Sequence, residues 1–270
     1  MHCVLRLFVL GSGSSGNCLV VEGDGERLVV DAGLGPVRAV ERMRALGTDL
    51  FTGRSPLALL VTHDHADHSS HALSLARALR TPIFAHDGVA IDRARRRTEV
   101  RPYAPNGSSS VGPFRVDSLC VPHDAPQVAL RISVGARSVG IATDLGHAPR
   151  ALCTFLAQCD LVLLEANHCP EMLATGPYPI RLQRRIGGPL GHLANHQTAG
   201  VAVALEDTRV SRLVLLHLSR ANNTPQRALD VVGSRIRRLA VEVLPHGEAR
   251  RWEVGAATGD RCAEQLAFAF

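Results

Sequence analysis

VTHDHADHSS, residues 61–70, gathers three histidines and two aspartates into six consecutive positions: His63, Asp64, His65, Asp67 and His68. The apolar run Leu57–Val61 just before it reads as a short buried strand, and Ser69–Arg80 reads as a helix after it. The cluster therefore falls in a loop at a strand's C-terminal end, where α/β sheets commonly place their chemistry. A solvated polar turn accounts for one or two such residues. Five are better explained by a shared cation, since neutral imidazoles and carboxylates gain most by binding one together.

The surrounding chain has 270 residues, 46% of them hydrophobic, enough for a sizeable core. No apolar stretch is long enough to span a bilayer. The opening MHCVLRLFVLGSG lacks a basic n-region and carries Arg6 inside its apolar run, so residues 4–10 read as a first strand rather than a signal peptide. A cytoplasmic protein without membrane contact is expected. Seven cysteines, Cys3, Cys18, Cys120, Cys153, Cys159, Cys169 and Cys262, form no C-x-x-C pair. Their odd number and scatter argue against a zinc ribbon or a disulfide framework.

All 30 basic residues are arginine, which excludes a Schiff-base or lysine-base mechanism. The net charge of +5 is mild. Arginines group at Arg93–Arg97, Arg181–Arg185, Arg235–Arg238 and Arg250–Arg251. These read as solvated helix faces, compatible with a polyanionic partner without requiring one.

Further strands are expected at Val4–Leu10, Cys18–Glu22, Arg27–Asp31, Ile83–Ala85, Phe114–Val121, Val128–Val134, Ser138–Ala142, Leu161–Glu165, Arg212–His217, Val241–Leu244 and Arg251–Val254. Helices are expected near Val37–Leu46, Glu171–Arg185, Gln197–Leu205 and Pro225–Leu239. Without repeats or a low-complexity linker, residues 1–254 read as one domain, followed by a loose tail over 255–270. Mixed strands and helices in two similar halves point to a layered α/β sandwich.

Several strands finish in a potential ligand. Phe114–Val121 runs into Pro122-His123-Asp124, Ser138–Ala142 into Thr143-Asp144, and Arg212–Leu216 into His217. Each alone is commonly a cap or turn residue. Together with the H-x-H-x-D-H cluster they form a set that can converge at one edge of the sheets. A pair of metal ions about 3.5–4 Å apart needs such a set of imidazoles and carboxylates.

On these residues the chain resembles the metallo-β-lactamase superfamily. The motif THDHADH, followed by His123, Asp144 and His217, looks like that superfamily's full ligand set, and Asp31 in LVVDAG matches its early bracing aspartate. The resemblance implies a four-layer αβ/βα sandwich holding two divalent metal ions. His63, His65 and His123 would hold the first ion, Asp67, His68 and His217 the second, and Asp144 would bridge them. Zinc is expected first, with manganese or iron as alternatives for the mixed N/O set. Longer stretches, LGSGSSGNC (10–18), LLEANH (163–168), RRIGGPLGHLAN (184–195) and HLSRANNTP (217–225), resemble the YycJ/WalJ/VicX-like branch, related to ribonuclease Z-type phosphodiesterases. Two departures stand out: Ala194 where serine is expected, and SSHA after the first motif in place of a glycine-containing turn.

The branch implies a phosphodiesterase acting on nucleic acid, an exonuclease with DNA favoured over RNA. In that scheme a metal-bridging water, its pKa lowered to about 7, is the nucleophile, and Asp67 orients it besides binding metal. A sugar alkoxide leaves poorly, so a proton donor is needed. Glu165 and His192 match the carboxylate and histidine thought to act as a pair in ribonuclease Z. A thioesterase or glyoxalase II-type hydrolase would share every metal ligand without needing that pair. The loop Gly11–Asn17 can present backbone N–H groups to phosphate or be a plain tight turn, and His246 is the rival to His217. Oligomeric state stays open, a homodimer included.

Overall fold

The computed structural model describes residues 4–51, 53–91 and 98–254. The tail from residue 255 and the Arg93–Arg97 group lie outside the described residues. In the first half, β1 (Leu5–Gly11), β2 (Cys18–Gly23) and β3 (Glu26–Val30) pair antiparallel in sequence. Asp24 and Gly25, at φ 52° and 76°, supply the tight hairpin turn between the last two. From β3 onward, β4 (Ala58–Val61), β5 (Ile83–Ala85) and β6 (Val100–Pro102) add in parallel. Their connections carry α1 (Pro36–Ala45), a single turn α2 (Ala66–Ser69) and α3 (Ala72–Leu79).

The second half repeats this plan. β7 (Ser108–Val111), β8 (Phe114–Val121), β9 (Gln127–Val134) and β10 (Arg137–Ala142) run antiparallel. β11 (Leu161–Glu165), β12 (Arg212–Leu216) and β13 (Ala240–Val243) then follow in parallel. Between them lie α4 (Arg150–Leu156), α5 (Pro170–Thr175), α6 (Ile180–Ile186), α7 (Asn195–Leu205) and α8 (Pro225–Gly233). Finally β14 (Arg250–Val254) returns beside β1, so each sheet has seven strands.

Strand periodicity sorts the side chains into three apolar layers. Leu7, Leu28 and Leu60 meet Phe114, Leu130 and Leu163 between the sheets. Their sequence neighbours Phe8, Val29 and Leu59 face the other way, onto Met43 of α1 and Leu75 of α3. On the far side Val162, Leu164 and Leu213 pack under Leu152 of α4 and Val201 of α7. Central strands buried on both faces explain the unbroken apolar runs in the sequence. The four-layer sandwich expected above is the observed architecture.

Four local differences have physical causes. The helix expected over Glu171–Arg185 is split by Gly176-Pro177-Tyr178-Pro179, where prolines cannot donate and disfavour helix before them. The helix expected over Ser69–Arg80 is α3, which begins at Ala72, and the separate turn α2 before it carries Asp67 and His68. The helix from Pro225 ends at Gly233, short of Leu239. Finally α4, β6 and β7 were not anticipated. The sequence of β7, SSSV, has weak strand propensity and is held by pairing with β8.

Candidate metal centre

The parallel strands of both halves end at one edge, and the sequence-selected residues follow them there. Asp31 comes after β3, His63 after β4, Asp144 after β10 and His217 after β12, while Glu165 closes β11. Asp31, Asp144 and His217 all adopt left-handed backbone, at φ 60°, 60° and 59°. Such a conformation costs on the order of 1–3 kcal/mol for a non-glycine residue and persists only where its surroundings hold it. Here the Asp31 N–H donates to the Leu60 carbonyl at 2.8 Å, and the His217 N–H donates to Ser12 Oγ at 2.9 Å.

Two donor clusters result. His63, His65 and His123 form one, with ring centroids 4.7, 4.9 and 5.3 Å apart. Asp67, His68 and His217 form the other, and Asp144 also groups with His63 and His68, placing it between them. Within each group the ligand atoms lie within 4.8 Å of one another. Two buried atoms in this space, His63 Nε2 and Asp144 Oδ2, have no hydrogen-bond partner among the described residues. Asp144 Oδ2 is only 2.9 Å from His68 Nε2, yet the two are not aligned as a hydrogen bond. The other ring nitrogen, His68 Nδ1, meets Asp31 Oδ2 at 2.7 Å. A proton held there leaves the Nε2 lone pair facing inward, as a metal-binding imidazole requires. Orphaned, converging N and O donors fit a pair of divalent cations.

The same demand shows in the protonation equilibria. Burial pushes His63 down to about 2, and burial likewise lowers His123. Burial also opposes charge on His68, but Asp144 and Asp31 override it and raise that ring to about 10. His217, though buried, is raised well above its ordinary value by Asp144, Asp67 and Glu165. Burial disfavours the Asp67 carboxylate, yet the neighbouring His217 and His68 rings bring it down to about 2. Against full burial, His217 and His68 hold Asp144 well below the usual carboxylate range. These carboxylates call for positive charge at the centre; without metal, protons on His68 and His217 supply it.

Glu165 and His192 meet as expected. Glu165 Oε1 lies 2.7 Å from His192 Nδ1, and the same oxygen lies 3.0 Å from His217 Nδ1. Glu165 Oε2 accepts from the backbone N–H of Leu145 at 3.0 Å and Leu193 at 3.3 Å. Glu165 is fully buried, and its Oε1 meets both rings. Burial opposes its charge, but His192 and His217 bring it down to about 2, and the His192 ring is raised in spite of burial by Glu165. His192 borders a cavity of about 380 Å³ whose walls include Asp67, Asp144, His217, Tyr178 and Arg185.

Other residues of the centre were missed or given no role. Asn17 Nδ2 lies 2.7 Å from His68 Nε2 and 3.2 Å from the Asp67 carbonyl, so the Gly11–Asn17 loop braces the ligand turn. Gly33 is required there, because a Cβ would fall 1.8 Å from the Asp67 carbonyl oxygen. Asp124 stands 3.3 Å from both His65 Nε2 and His123 Nε2 and accepts from Arg185 Nε at 2.6 Å. Its place beside His123 was the only available signal. His86, buried, approaches the Thr62 carbonyl at 3.0 Å, and Tyr103 donates to that of Val61 at 2.9 Å. His246 pairs with Ser15 Oγ at 3.0 Å, apart from the donor clusters. Arg184, His168 and His196 line a different cavity behind α6.

Comparison with known proteins agrees with this geometry. Residues 26–218 match the family described as "Beta-lactamase superfamily domain". The chain is 30% identical over 230 residues to the exodeoxyribonuclease WalJ of Streptococcus pneumoniae, covering 82% of this chain and 84% of the relative. It is 29% identical over 232 residues to the exodeoxyribonuclease YycJ of Bacillus anthracis, covering 83% and 86%. The metallo-β-lactamase fold protein YhfI of Bacillus subtilis superposes with a TM-score of 0.72 at 18% identity, covering 93% of this chain and 99% of that one. The match, the relatives and the shared fold lead to one conclusion: the chain belongs to the metallo-β-lactamase superfamily of hydrolases.

Proposed function

We propose that the chain is a binuclear metal-dependent phosphodiesterase, an exonuclease that hydrolyses DNA. The observation that supports this reading is the contact of buried Glu165 with half-buried His192 beside the donor clusters. His63, His65 and His123 would hold one ion, Asp67, His68 and His217 the other, with Asp144 shared; zinc suits the set first. Bound metal supplies Lewis acidity toward phosphoryl oxygens and activates water near neutral pH. Asp67, at the cavity wall, would orient a water held there. Glu165 fixes the His192 ring through Nδ1 and favours its charged form, leaving Nε2 to hand a proton to the departing sugar oxygen. The relatives named as exodeoxyribonucleases support DNA as substrate.

Metal-reconstituted protein should digest labelled DNA, and chelation should abolish it. His192→Ala should cost on the order of 10²–10⁴ in rate on DNA, where the leaving alkoxide needs a proton. On bis(p-nitrophenyl) phosphate, whose phenolate leaves unaided, the loss should be far smaller. Equal losses with metals retained would remove the proton-donor role. Hydrolysis of acyl thioesters with no action on DNA would replace the nuclease by the thioesterase reading.

A further inference from the structure

Most imidazoles of the two donor clusters hand their Nδ1 to a protein partner. His63 Nδ1 meets Thr62 Oγ1 at 3.2 Å, His68 Nδ1 meets Asp31 and His217 Nδ1 meets Glu165. His123 Nδ1 lies 3.1 Å from the Gly191 carbonyl, which can only accept, so the ring carries its proton there and keeps a lone pair on Nε2. His65 is turned the other way. Its Nδ1 is the atom that meets His123 Nε2, at 3.2 Å, and its Nε2 stands 3.3 Å from Asp124 Oδ1. We propose that Asp124 is a positioning residue of the centre, one oxygen orienting His65 and the other fixing Arg185 as an anchor for a phosphate oxygen of the substrate. The Arg185 half rests on the phosphodiesterase reading; the His65 half does not.

Asp124 belongs to none of the converging donor groups among the described residues, so it stands beside the ligands rather than with them. Its Oδ1 is also 3.3 Å from His123 Nε2, but a ring protonated at Nδ1 has only a lone pair there and cannot donate. His65 therefore supplies the proton. With Nε2–H on the carboxylate, its Nδ1 lone pair turns toward the cluster. A carboxylate so placed fixes the ring and makes its ligating nitrogen more basic, as Asp31 does for His68. The remaining oxygen, Oδ2, accepts from Arg185 Nε at 2.6 Å.

Arg185 lies in the last turn of α6, and the loop after it is tied to the centre. The His192 N–H donates to the Ile186 carbonyl at 2.8 Å, and the Gly191 carbonyl takes His123. The guanidinium is gripped through Nε, and its two terminal nitrogens have no partner among the described residues. His65, Asp124 and Arg185 all border the cavity of about 380 Å³ that Asp144 and His192 border too. Paired N–H groups on a planar guanidinium match two oxygens of a phosphate. Asp124 cancels much of the arginine's long-range pull but restricts its side chain beforehand, which lowers the ordering cost of binding. A thioester carries no anionic oxygen at its reacting group, so the arrangement suits a phosphodiester.

Two measurements on the full-length chain test the two halves. In competition with a chromogenic chelator, Asp124→Ala should weaken zinc binding by about 10–100-fold, and Arg185→Ala by much less. Asp124→Asn, which keeps one acceptor oxygen, should fall between Asp124→Ala and the unchanged chain. In kinetics on a labelled single-stranded oligonucleotide at saturating zinc, Arg185→Ala should raise KM about tenfold and flatten its dependence on salt. Asp124→Ala should instead lower kcat and keep the salt dependence, because the arginine is still present but no longer placed. Unchanged zinc affinity in Asp124→Ala would overturn the role toward His65. Unchanged KM and salt dependence in Arg185→Ala, with DNA still cleaved, would overturn the phosphate anchor. If the unaltered chain binds zinc and cleaves no DNA, the nuclease reading fails and the anchor with it, while chelator competition still decides the role of Asp124 toward His65.

Discussion

The two halves of the sandwich place like residues at like positions and use them differently. Asp31 and Asp144 both follow the first strand of a parallel run, β3 or β10, and share φ 60°. His86 and His217 both follow the third, β5 or β12. In the first half these residues brace: Asp31 holds His68 and Thr62, and His86 holds the Thr62 carbonyl. Their counterparts stand among the donor clusters. Position at a strand end therefore delivers a polar side chain to the edge, and its neighbours decide whether it meets protein or cation.

If that division holds, Asp144→Asn should remove activity by a factor on the order of 10³ on DNA and on the nitrophenyl ester alike, and elemental analysis should find fewer than two ions. Retention of full metal and activity would place Asp144 with the braces. Asp31→Asn should weaken metal affinity by about 10–100-fold, with activity returning at excess metal, because it orients His68 without binding the ion itself. Competition with a chromogenic chelator measures this; an unrecoverable loss would move Asp31 into the donor set.

A pH series on chelated protein compares two histidines of one loop. His63, at about 2 against an ordinary 6.5, contributes stability that is complete above 6.5 and is lost as pH falls. His68, at about 10, contributes stability that is complete below 6.5 and is lost as pH rises toward 10. His63→Gln should flatten the acid limb of melting temperature against pH, and His68→Gln the alkaline limb; a swapped pattern would refute the assignment. The smallest effect belongs to His86→Gln. It should cost about 1 kcal/mol of stability through the Thr62 bond, with near-normal activity.

Much of this was legible beforehand for specific reasons. Apolar runs buried on both faces announce strands, and the density of THDHADH announces a cation site. Strand ends then single out His123, Asp144 and His217. Asn17 and Asp124 were harder to see because lone polar residues in turns look alike in sequence; only the folded edge brings Asn17 to His68 and Asp124 to His65. The prolines of Gly176–Pro179 do signal a break, against the helix-forming residues on both sides that favour a single run. With the missed break went the position of α6, which puts Arg185 and Arg184 in different cavities.

The left-handed strand ends also constrain how this sequence can drift. Aspartate, asparagine and glycine tolerate that backbone, whereas alanine and glutamate do so poorly. At residues 31 and 144 a lineage that lost its metal would retain a foldable chain most readily through asparagine or glycine. Glutamate, usually counted the conservative exchange for aspartate, would disturb the turn as well as the reach of the carboxylate. Decay of the centre would thus leave short polar relics at these positions, and an extinct site could still be recognised by them.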